Sequence, residues 1–439
     1  MIQSIQIRDF KSYQDATLKL APLTLLIGAN ASGKSNALEA IRFLSWMAQG
    51  HKLSSLQYLV NDNDRVVRGT VADLPRIGEH SFSFGCCLSE AAEGFRQFET
   101  TIDLRQKDEL HIRQERVYNP EASGYNLLYQ ISTPSQQEHT HISIEYNNFA
   151  RGGTKPQIEG LDQTNVFLQL GNAARFKDGH QQAKRVIPAV CHSFETHLAQ
   201  ILFLDPVPQR MRDYAFLNNR ELQGDGNNLS AVLYHLWQEE PEAENNRSAI
   251  LGFIRSLPEQ DILGVDFLKG PRGEVMIQLE ESFGGGSRKC DASLLSDGTL
   301  RVLALAAALL SAPAGSMVII EEIDNGVHPS RARQLLDSIS QIARQRGLSV
   351  LISSHNPALL DALPHEAVPD LVFCYRNPAS GHSELVKLAD LQDYPELVLQ
   401  GPLGSLLTQG QIDHFVKLQE SPEEKEQKAL EWLEKMRNL

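Results

Sequence analysis

The sequence predicts an α/β protein, and three short stretches carry that prediction. Residues 23–27, LTLLI, form an apolar run typical of a strand that is buried on both faces, and the segment after Ser35 has apolar residues at helical spacing. A second apolar run, 317–320, ends at two carboxylates, and a third, 350–352, is followed by Ser-Ser-His. Buried strands that lead into helices are typical of the α/β class.

The loop between the first strand and its helix has the sequence of a phosphate-binding site. Gly28, Gly33, Lys34 and Ser35 fit the P-loop spacing G-x-x-x-x-G-K-[ST]. Glycines let the backbone wrap closely around phosphate oxygens, and the helix N-terminus favours an anion. Lys34 is expected to reach the β- and γ-phosphates, and Ser35 to give its hydroxyl to Mg²⁺. The loop therefore predicts binding of a nucleoside triphosphate.

The two carboxylates after the strand at 317–320 are expected to supply the metal side of this site. Glu321 and Glu322 follow the Walker B pattern, with glutamate where aspartate is commoner. Adjacent residues at a strand end point in opposite directions, so Glu321 is expected to face Mg²⁺ while Glu322 faces the γ-phosphate and the attacking water. A solvated acidic pair is the alternative, and the P-loop favours the catalytic interpretation.

Composition limits the class of protein and its location. The 439 residues allow two to three domains, and a net charge of −14 argues against a general nucleic-acid binder, although a local basic patch on a dimer would still allow DNA binding. The sequence has no run of about 18 apolar residues, so no membrane span is predicted. The start of the chain lacks a signal-peptide pattern, and five cysteines without metal-like spacing fit a reducing compartment. A cytoplasmic protein is expected.

A second anion site is predicted at residues 295–299, LSDGT, which looks like the LSGGQ signature of ABC-type ATPases. The hydroxyl of Ser296, the backbone N–H of Gly298 and the N-terminus of the apolar helix 299–311 would together attract a phosphate. Asp297 departs from the usual glycine and is expected to cap that helix by accepting backbone N–H groups. An ordinary capped core helix is the alternative.

His355, just past the strand at 350–352, matches the switch histidine of ABC ATPases, and residues 324–329, DNGVHP, stand where their D-loop belongs. The P-loop, signature, Walker B and switch histidine therefore occur in the ABC order. That order is more specific than any single motif.

With these motifs, the chain resembles the RecF/SMC-like branch of ABC-type ATPases, most strongly over residues 1–48 and 291–364. In style it is similar to compact bacterial AAA-type ATPases related to the ATPase part of OLD-family proteins, many of which are encoded in phage-defence cassettes. The resemblance implies a P-loop NTPase fold with an ABC-type head built from both ends of the chain. It also implies a homodimer with two ATP molecules between the heads.

The resemblance also implies the role of each site residue. The residues expected to bind ATP are Gly28, Asn30, Gly33, Lys34, Ser35 and Asn36. The residues expected to hold Mg²⁺ are Ser35 and Glu321. The residues expected to act in catalysis are Glu322 as the base, His355 and Lys34. The residues expected to act on the partner's nucleotide are Ser296 and Gly298. A Q-loop glutamine is also implied, and the glutamines between 57 and 170 remain open candidates.

Four regions are expected along the chain. They are an N-terminal ATPase lobe with the P-loop and a β-rich part (1–180), a short helical insertion or lid (181–260), a C-terminal ATPase lobe (261–385) and a C-terminal helical tail (386–439). Strands are expected within 66–118, whereas 119–160 is polar and rich in turn residues. The amphipathic stretch 421–439 is expected to be a helix that docks on its own domain or on a partner.

The expected function is an ATP-hydrolysing dimeric switch that controls a separate effector protein in bacterial anti-phage defence. A RecF-like DNA-repair or DNA-binding ATPase is the main alternative. A nuclease within this chain is disfavoured because no D-x-D follows His355. A transporter ATPase is disfavoured because Glu321 lies 287 positions after Lys34, a much longer gap than such ATPases have.

Overall fold

The fold comes from a computed structural model of the chain. It describes residues 1–56, 66–123, 126–136, 139–218, 220–239, 243–255, 262–283, 286–323, 329–391, 394 and 399–417.

The strands are numbered in chain order. They are β1 (Ile2–Phe10), β2 (Tyr13–Lys19), β3 (Leu23–Ile27), β4 (Ser81–Leu88), β5 (Gln97–Leu104), β6 (Leu110–Tyr118), β7 (Leu127–Thr133), β8 (His141–Tyr146), β9 (Gln157–Leu161), β10 (Leu202–Leu204), β11 (Ala215–Phe216), β12 (Ile262–Lys269), β13 (Glu274–Phe283), β14 (Gly286–Asp291), β15 (Met317–Ile320), β16 (Ser349–Ser354), β17 (Val372–Arg376) and β18 (Ser383–Lys387).

The α-helices are numbered in the same way. They are α1 (Lys34–Ala48), α2 (Val166–Leu170), α3 (Gln181–Ala199), α4 (Pro208–Met211), α5 (Leu229–Tyr234), α6 (Ala243–Arg255), α7 (Asp297–Ser311), α8 (Pro329–Arg346), α9 (Pro357–Asp361), α10 (Leu403–Thr408) and α11 (Gln411–Lys417). A π-helical turn, His235–Glu239, continues α5.

A mixed sheet of 14 strands joins the two ends of the chain. Its order is β10-β15-β16-β3-β17-β18-β2-β1-β4-β5-β6-β7-β8-β9. The first five strands run parallel to one another, and the run from β2 through β1 and β4 to β9 is antiparallel. The expected α/β class is confirmed, with the parallel part formed from residues near both ends of the chain and the antiparallel part forming the β-rich lobe.

The interior strand β3 shows why this apolar run became a strand. All five of its residues are buried. Leu25 and Ile27 pack into the apolar core on one face of the sheet, together with α7, while Leu26 packs into the core on the other face, together with α1. A parallel strand that is covered on both faces needs apolar residues at every position, which LTLLI provides.

The antiparallel lobe confirms one expectation and corrects another. The stretches expected to be strands within 66–118 form β4, β5 and β6. The segment 119–160, which was described as polar and rich in turn residues with no strands assigned to it, also contributes β7, β8 and most of β9. These strands are short and partly polar, and they are held by pairing with β6 and with one another, which the sequence pattern does not display.

The described part of the segment 181–260 supplies the helices α3, α4, α5 and α6, and it also supplies the strands β10 and β11. Residues 201–203 read as the end of a helix in the sequence, but Leu202–Leu204 form β10, which pairs in parallel with β15. A smaller sheet of four strands, β11-β13-β12 with β14 beside β13, precedes α7.

Several expected elements fall outside the described residues. These are the D-loop residues 324–328 and the amphipathic stretch 421–439. No described helix combines the length and the apolar character needed to cross a bilayer.

Candidate functional site

The P-loop joins β3 to α1, and its tight backbone requires glycine at two positions. A Cβ on Gly28 would overlap the carbonyl oxygen of Cys374 on β17. Gly33 has φ +121°, a conformation that L side chains rarely adopt, and a Cβ there would overlap the hydroxyl of Ser383. The two P-loop glycines are therefore explained by close approach of the neighbouring strands β17 and β18.

The hydroxyl groups of Ser12 and Ser383 connect the P-loop to the neighbouring elements. Ser383 donates to the carbonyl of Ser32 at 2.6 Å, and its Oγ lies 2.8 Å from Oγ of Ser12. Asn36 on α1 donates to the same Ser12 oxygen at 2.8 Å. Residues from the β1–β2 turn, the loop, α1 and β18 thus meet in one hydrogen-bonded network.

Lys34 begins α1 and curls over the loop. Its Nζ donates to the carbonyl oxygens of Gly28 at 2.5 Å and Ala29 at 3.1 Å. The ammonium group therefore lies at the mouth of the loop, where the P-loop pattern predicts contact with phosphate.

Both acidic residues after β15 face the same cleft. Glu322 has φ +48°, the left-handed region that non-glycine residues seldom occupy, and its backbone N–H donates to Oγ of Ser353 at 3.4 Å. This turn follows directly after the strand, and it brings Glu322 to the cleft beside Glu321. Backbone strain of this kind often accompanies functional sites.

The carboxylate of Glu321 lies in a partly buried, highly charged environment. Burial raises the pKa of Glu321, the guanidinium of Arg42 lowers it, and the nearby acids Asp205 and Glu322 raise it. Nη2 of Arg42 donates to Oε1 of Glu321 at 2.8 Å. Asp205 follows β10, the strand beside β15, so parallel strands bring their terminal acids together.

His355 follows β16 and precedes the short helix α9. Asn356 caps that helix by accepting the backbone N–H of Ala358 at 3.0 Å. Because β3, β15 and β16 are parallel neighbours, their carboxyl ends meet at one edge of the sheet, where α/β proteins place their ligands. His355, Glu321 and the P-loop therefore share that edge.

An open cleft of about 340 Å³ lies at this edge. The predicted site residues that line it are Asn30, Gly33, Lys34, Ser35, Asn36, Glu321, Glu322 and His355. Gly28 lies at the base of the loop, where its carbonyl accepts from Lys34. The structure thus gathers residues from three separated motifs around one space large enough for a nucleotide.

The signature residues and the Q-loop glutamine are not among the described residues that line this cleft. Ser296 and Gly298 are absent from the described residues that line the cleft. No glutamine is found among those lining residues either, so the Q-loop glutamine is not located. The strand β10, one of the two neighbours of β15, is instead followed by Asp205.

Two arginines that the sequence analysis did not single out also line the cleft. Nη2 of Arg68 donates to Oδ1 of Asn36 at 3.2 Å, and its Nε donates to Glu39. Nε of Arg376, at the end of β17, donates to the carbonyl of Ala31 at 3.1 Å. Neither arginine belongs to a recognisable motif, and only strand order and loop path bring them to the P-loop. Their guanidinium groups add positive charge where a triphosphate would lie.

Ser296 and Asp297 of the signature segment are exposed, and the cap of the following helix differs from the one expected. Ser296, not Asp297, is the N-cap of α7, because its Oγ accepts the backbone N–H of Thr299 at 3.1 Å. Asp297 is the first helical residue, and its Oδ1 accepts from Nη2 of Arg212 at 2.7 Å. The prediction that Asp297 caps the helix was therefore wrong, and this ion pair offsets the negative charge of Asp297 at the signature turn.

The residues of the cleft fit a magnesium nucleotide. Mg²⁺ prefers oxygen ligands and is usually held by few protein groups together with substrate phosphates. Ser35 offers a hydroxyl and Glu321 a carboxylate on the same cleft. The described residues contain no cluster of three or more histidine, cysteine or acidic side chains suited to hold a metal by themselves.

Two family models match the sequence. Residues 137–361, about half of the chain, match the family described as "AAA domain, putative AbiEii toxin, Type IV TA system". Residues 1–149 match the family described as "AAA ATPase domain".

Similar curated proteins include the DNA replication and repair protein RecF of three organisms. The protein from Gloeobacter violaceus is 37% identical over 84 residues, covering 18% of this chain and 20% of that protein. The protein from Paenarthrobacter aurescens is 25% identical over 189 residues, covering 41% and 44%. The protein from Nostoc punctiforme is 32% identical over 185 residues, covering 38% and 48%. The chain thus spans less than half the length of these relatives.

Similar solved structures include the SmcHead bound to the C-winged helix domain of ScpA, with TM-score 0.46 and 14% identity, covering 88% of this chain and 96% of that one. The SMC head domain from Thermotoga maritima has TM-score 0.40 and 12% identity, covering 88% and 98%. The sequence motifs and the family models lead to one conclusion: the chain belongs to the AAA-domain family that matches residues 137–361, and it is a RecF/SMC-like ABC-type ATPase.

Proposed function

We propose that this chain binds ATP between two copies of itself, hydrolyses it, and uses the closing and opening of the pair to control a separate effector protein in bacterial anti-phage defence. One observation carries the biochemical part of this proposal. P-loop, Walker B and switch-histidine residues from three distant segments line a single cleft.

The residues of the cleft divide the chemistry among them. Lys34 and the P-loop backbone bind the phosphates, and Ser35 with Glu321 would hold Mg²⁺, which neutralises charge on the phosphates when it is bound. Glu322 orients the attacking water and accepts its proton, and His355 contacts the phosphate end of the nucleotide. In-line attack then breaks the bond to the γ-phosphoryl group and releases ADP and phosphate.

The signature turn of the second copy completes the site in this proposal. Ser296 and Asp297 are exposed, and the turn does not line its own cleft, which supports a role on a partner's nucleotide. Oγ of Ser296 accepts the backbone N–H of Thr299 and also lies 2.8 Å from Oγ1 of Thr299. When Thr299 is the donor in that second contact, the hydroxyl hydrogen of Ser296 can be directed to a phosphate. Hydrolysis should therefore be slow in a lone copy.

The test of the base is the substitution Glu322→Gln. Removal of a general base costs about 10²- to 10⁴-fold in rate, whereas the amide preserves size and ATP binding. Phosphate release should fall by at least about 10²-fold, and light scattering should find a dimer that persists with ATP. Lys34→Ala, which removes the phosphate contact, serves as the variant that should lose ATP binding. Unchanged hydrolysis by Glu322→Gln would show that another group is the base.

The defence role needs a cellular test. The family description names a toxin and a type IV TA system, which is compatible with defence. We expect that expression of the chain together with the products of neighbouring reading frames lowers phage plaque counts, and that Lys34→Ala abolishes the protection. Equal plaque counts with the wild type and with Lys34→Ala would refute an ATP-dependent defence role.

A RecF-like role on DNA is the second candidate, and the RecF relatives favour it. In that case duplex DNA should stimulate phosphate release by the wild-type dimer, and binding should weaken steeply as salt increases. Fluorescence anisotropy of labelled duplex DNA, with and without ATP, distinguishes the two candidates.

A further inference from the structure

The side chain of Arg42 connects the P-loop helix to the Walker B strand. It lies on α1, 279 residues away from Glu321 in sequence, and Nη2 of Arg42 is 2.8 Å from Oε1 of Glu321. The side chains of Arg42 and Glu321 are 33% and 30% exposed, so the pair is largely withdrawn from solvent. Such a pair interacts more strongly than one on the open surface.

The spacing along α1 explains how this contact arises. Ser35, Leu38 and Arg42 are separated by three and four residues, and such residues lie on one face of an α-helix. Ser35 and Leu38 both line the cleft. The same helical face therefore presents a hydroxyl at the cleft and, two turns further along, a guanidinium that contacts Glu321.

An aromatic ring fixes the other side of the guanidinium. Cζ of Arg42 lies 4.8 Å from the ring centroid of Phe203 on β10. A guanidinium that stacks on a ring and also donates to a carboxylate has little freedom to turn. Arg42 therefore offers Glu321 a fixed donor rather than a mobile charge.

We propose that Arg42 is a positioning residue for the magnesium site: it holds Oε1 of Glu321 so that the rest of the carboxylate is presented toward Ser35 and the nucleotide. The proposal rests on the function proposed above. Among the described residues, Arg42 is the hydrogen-bond partner found for this carboxylate. Carboxylates that ligate metals are themselves commonly oriented by hydrogen bonds, and loss of such a partner costs about 10- to 100-fold in metal affinity or activity.

The test measures metal binding separately from hydrolysis. A fluorescent ATP analogue is titrated onto the full chain without Mg²⁺ and then at increasing Mg²⁺. Arg42→Gln should leave the affinity for the metal-free nucleotide unchanged and should raise the Mg²⁺ concentration for half-maximal effect by about 10-fold or more. Arg42→Lys keeps the charge but loses the planar fork, so it should show an intermediate shift.

The chain offers a closely matched control. Arg116 donates to Glu99 at 2.6 Å and lies 5.1 Å from the ring of Tyr118, so it is also an arginine that pairs with a glutamate and stacks on an aromatic ring. It lies on β6 in the antiparallel lobe. Arg116→Gln should leave the Mg²⁺ titration unchanged, because its pair has no part in the cleft.

A double-mutant cycle separates positioning from a general structural effect. Once Glu321→Gln has removed the carboxylate, Arg42→Gln should produce no further change in the Mg²⁺ titration. If Arg42→Gln does not fold, Phe203→Leu retains the arginine while releasing its orientation, and it should give a smaller shift in the same direction.

Three outcomes would overturn the inference. An unchanged Mg²⁺ requirement in folded Arg42→Gln would show that the ion pair does not serve the metal site. A lowered requirement would show that Arg42 competes with the metal. A wild type that binds the analogue without any effect of Mg²⁺ would refute the proposed metal site itself, and with it the role of Arg42.

Discussion

The substitution Gly33→Ala tests whether the P-loop is shaped by its contact with β18. Gly33 has φ +121°, and a Cβ there would lie 2.7 Å from Cβ of Ser383 and closer still to its hydroxyl. An alanine in an unfavourable positive-φ conformation costs about 1–2 kcal/mol, and forcing an atom into a filled space costs about 1–3 kcal/mol more. We therefore expect the free energy of unfolding to fall by about 2–5 kcal/mol.

Gly50 provides the control that separates the two costs. It also has a positive φ, +87°, but a Cβ there would meet no atom within 4 Å. Gly50→Ala should therefore show only the backbone cost of about 1–2 kcal/mol. Ser383→Gly removes the hydrogen bonds to Ser32 and Ser12 as well as the overlapping atoms, so it serves as the reference background. In that background Gly33→Ala should cost only the backbone part, about 1–2 kcal/mol.

Urea unfolding measures these differences, and titration with a fluorescent ATP analogue measures their effect on the loop. Gly33→Ala should weaken binding of the analogue, because the backbone N–H groups that face phosphate must move to relieve the overlap, whereas Gly50→Ala should bind as the wild type does. The reasoning fails if the two glycine variants are equally stable, or if Gly33→Ala costs as much in the Ser383→Gly background as in the wild type.

Two further predictions concern single polar side chains. Glu115 is fully buried and accepts from the hydroxyl of Tyr129 at 2.9 Å and the backbone N–H of Phe167 at 3.1 Å, and burial raises its pKa from 4.5 to about 7. The folded protein holds this proton more tightly than the unfolded chain does. The free energy of unfolding of the wild type, relative to that of Glu115→Gln, should therefore fall by about 3 kcal/mol as pH rises from 4.5 to 7. A difference in urea unfolding that does not change with pH would contradict this. At the signature, Ser296→Asp preserves an N-cap acceptor for the backbone N–H of Thr299, so the free energy of unfolding should stay within about 0.5 kcal/mol of the wild type. The same substitution places a carboxylate where a phosphate is expected, so phosphate release should be lost. Wild-type turnover in that variant would remove the signature from the mechanism.

Local patterns in the sequence were sufficient for the elements that define the cleft. The apolar runs predicted β3 and β15 with the bounds that the structure shows, because an interior parallel strand is apolar throughout. Partly polar strands were harder to predict from the sequence. β7, β8 and β9 were missed because their stability comes from pairing with neighbours. Residues 202 and 203 were taken for the end of a helix because a strand of three residues is too short to show a period.

The sequence by itself determined the P-loop, the acidic pair after β15 and the histidine after β16, because each is a short motif with its own local chemistry. Only the tertiary structure decided which distant groups surround them. It brought Arg68 and Arg376 to the cleft, gave Asp297 an arginine partner in place of a capping role, and joined Arg42 to Glu321. Contacts of this kind depend on the order of strands in the sheet and on which face of a helix meets it, and that order is set by packing of the whole chain rather than by neighbouring residues.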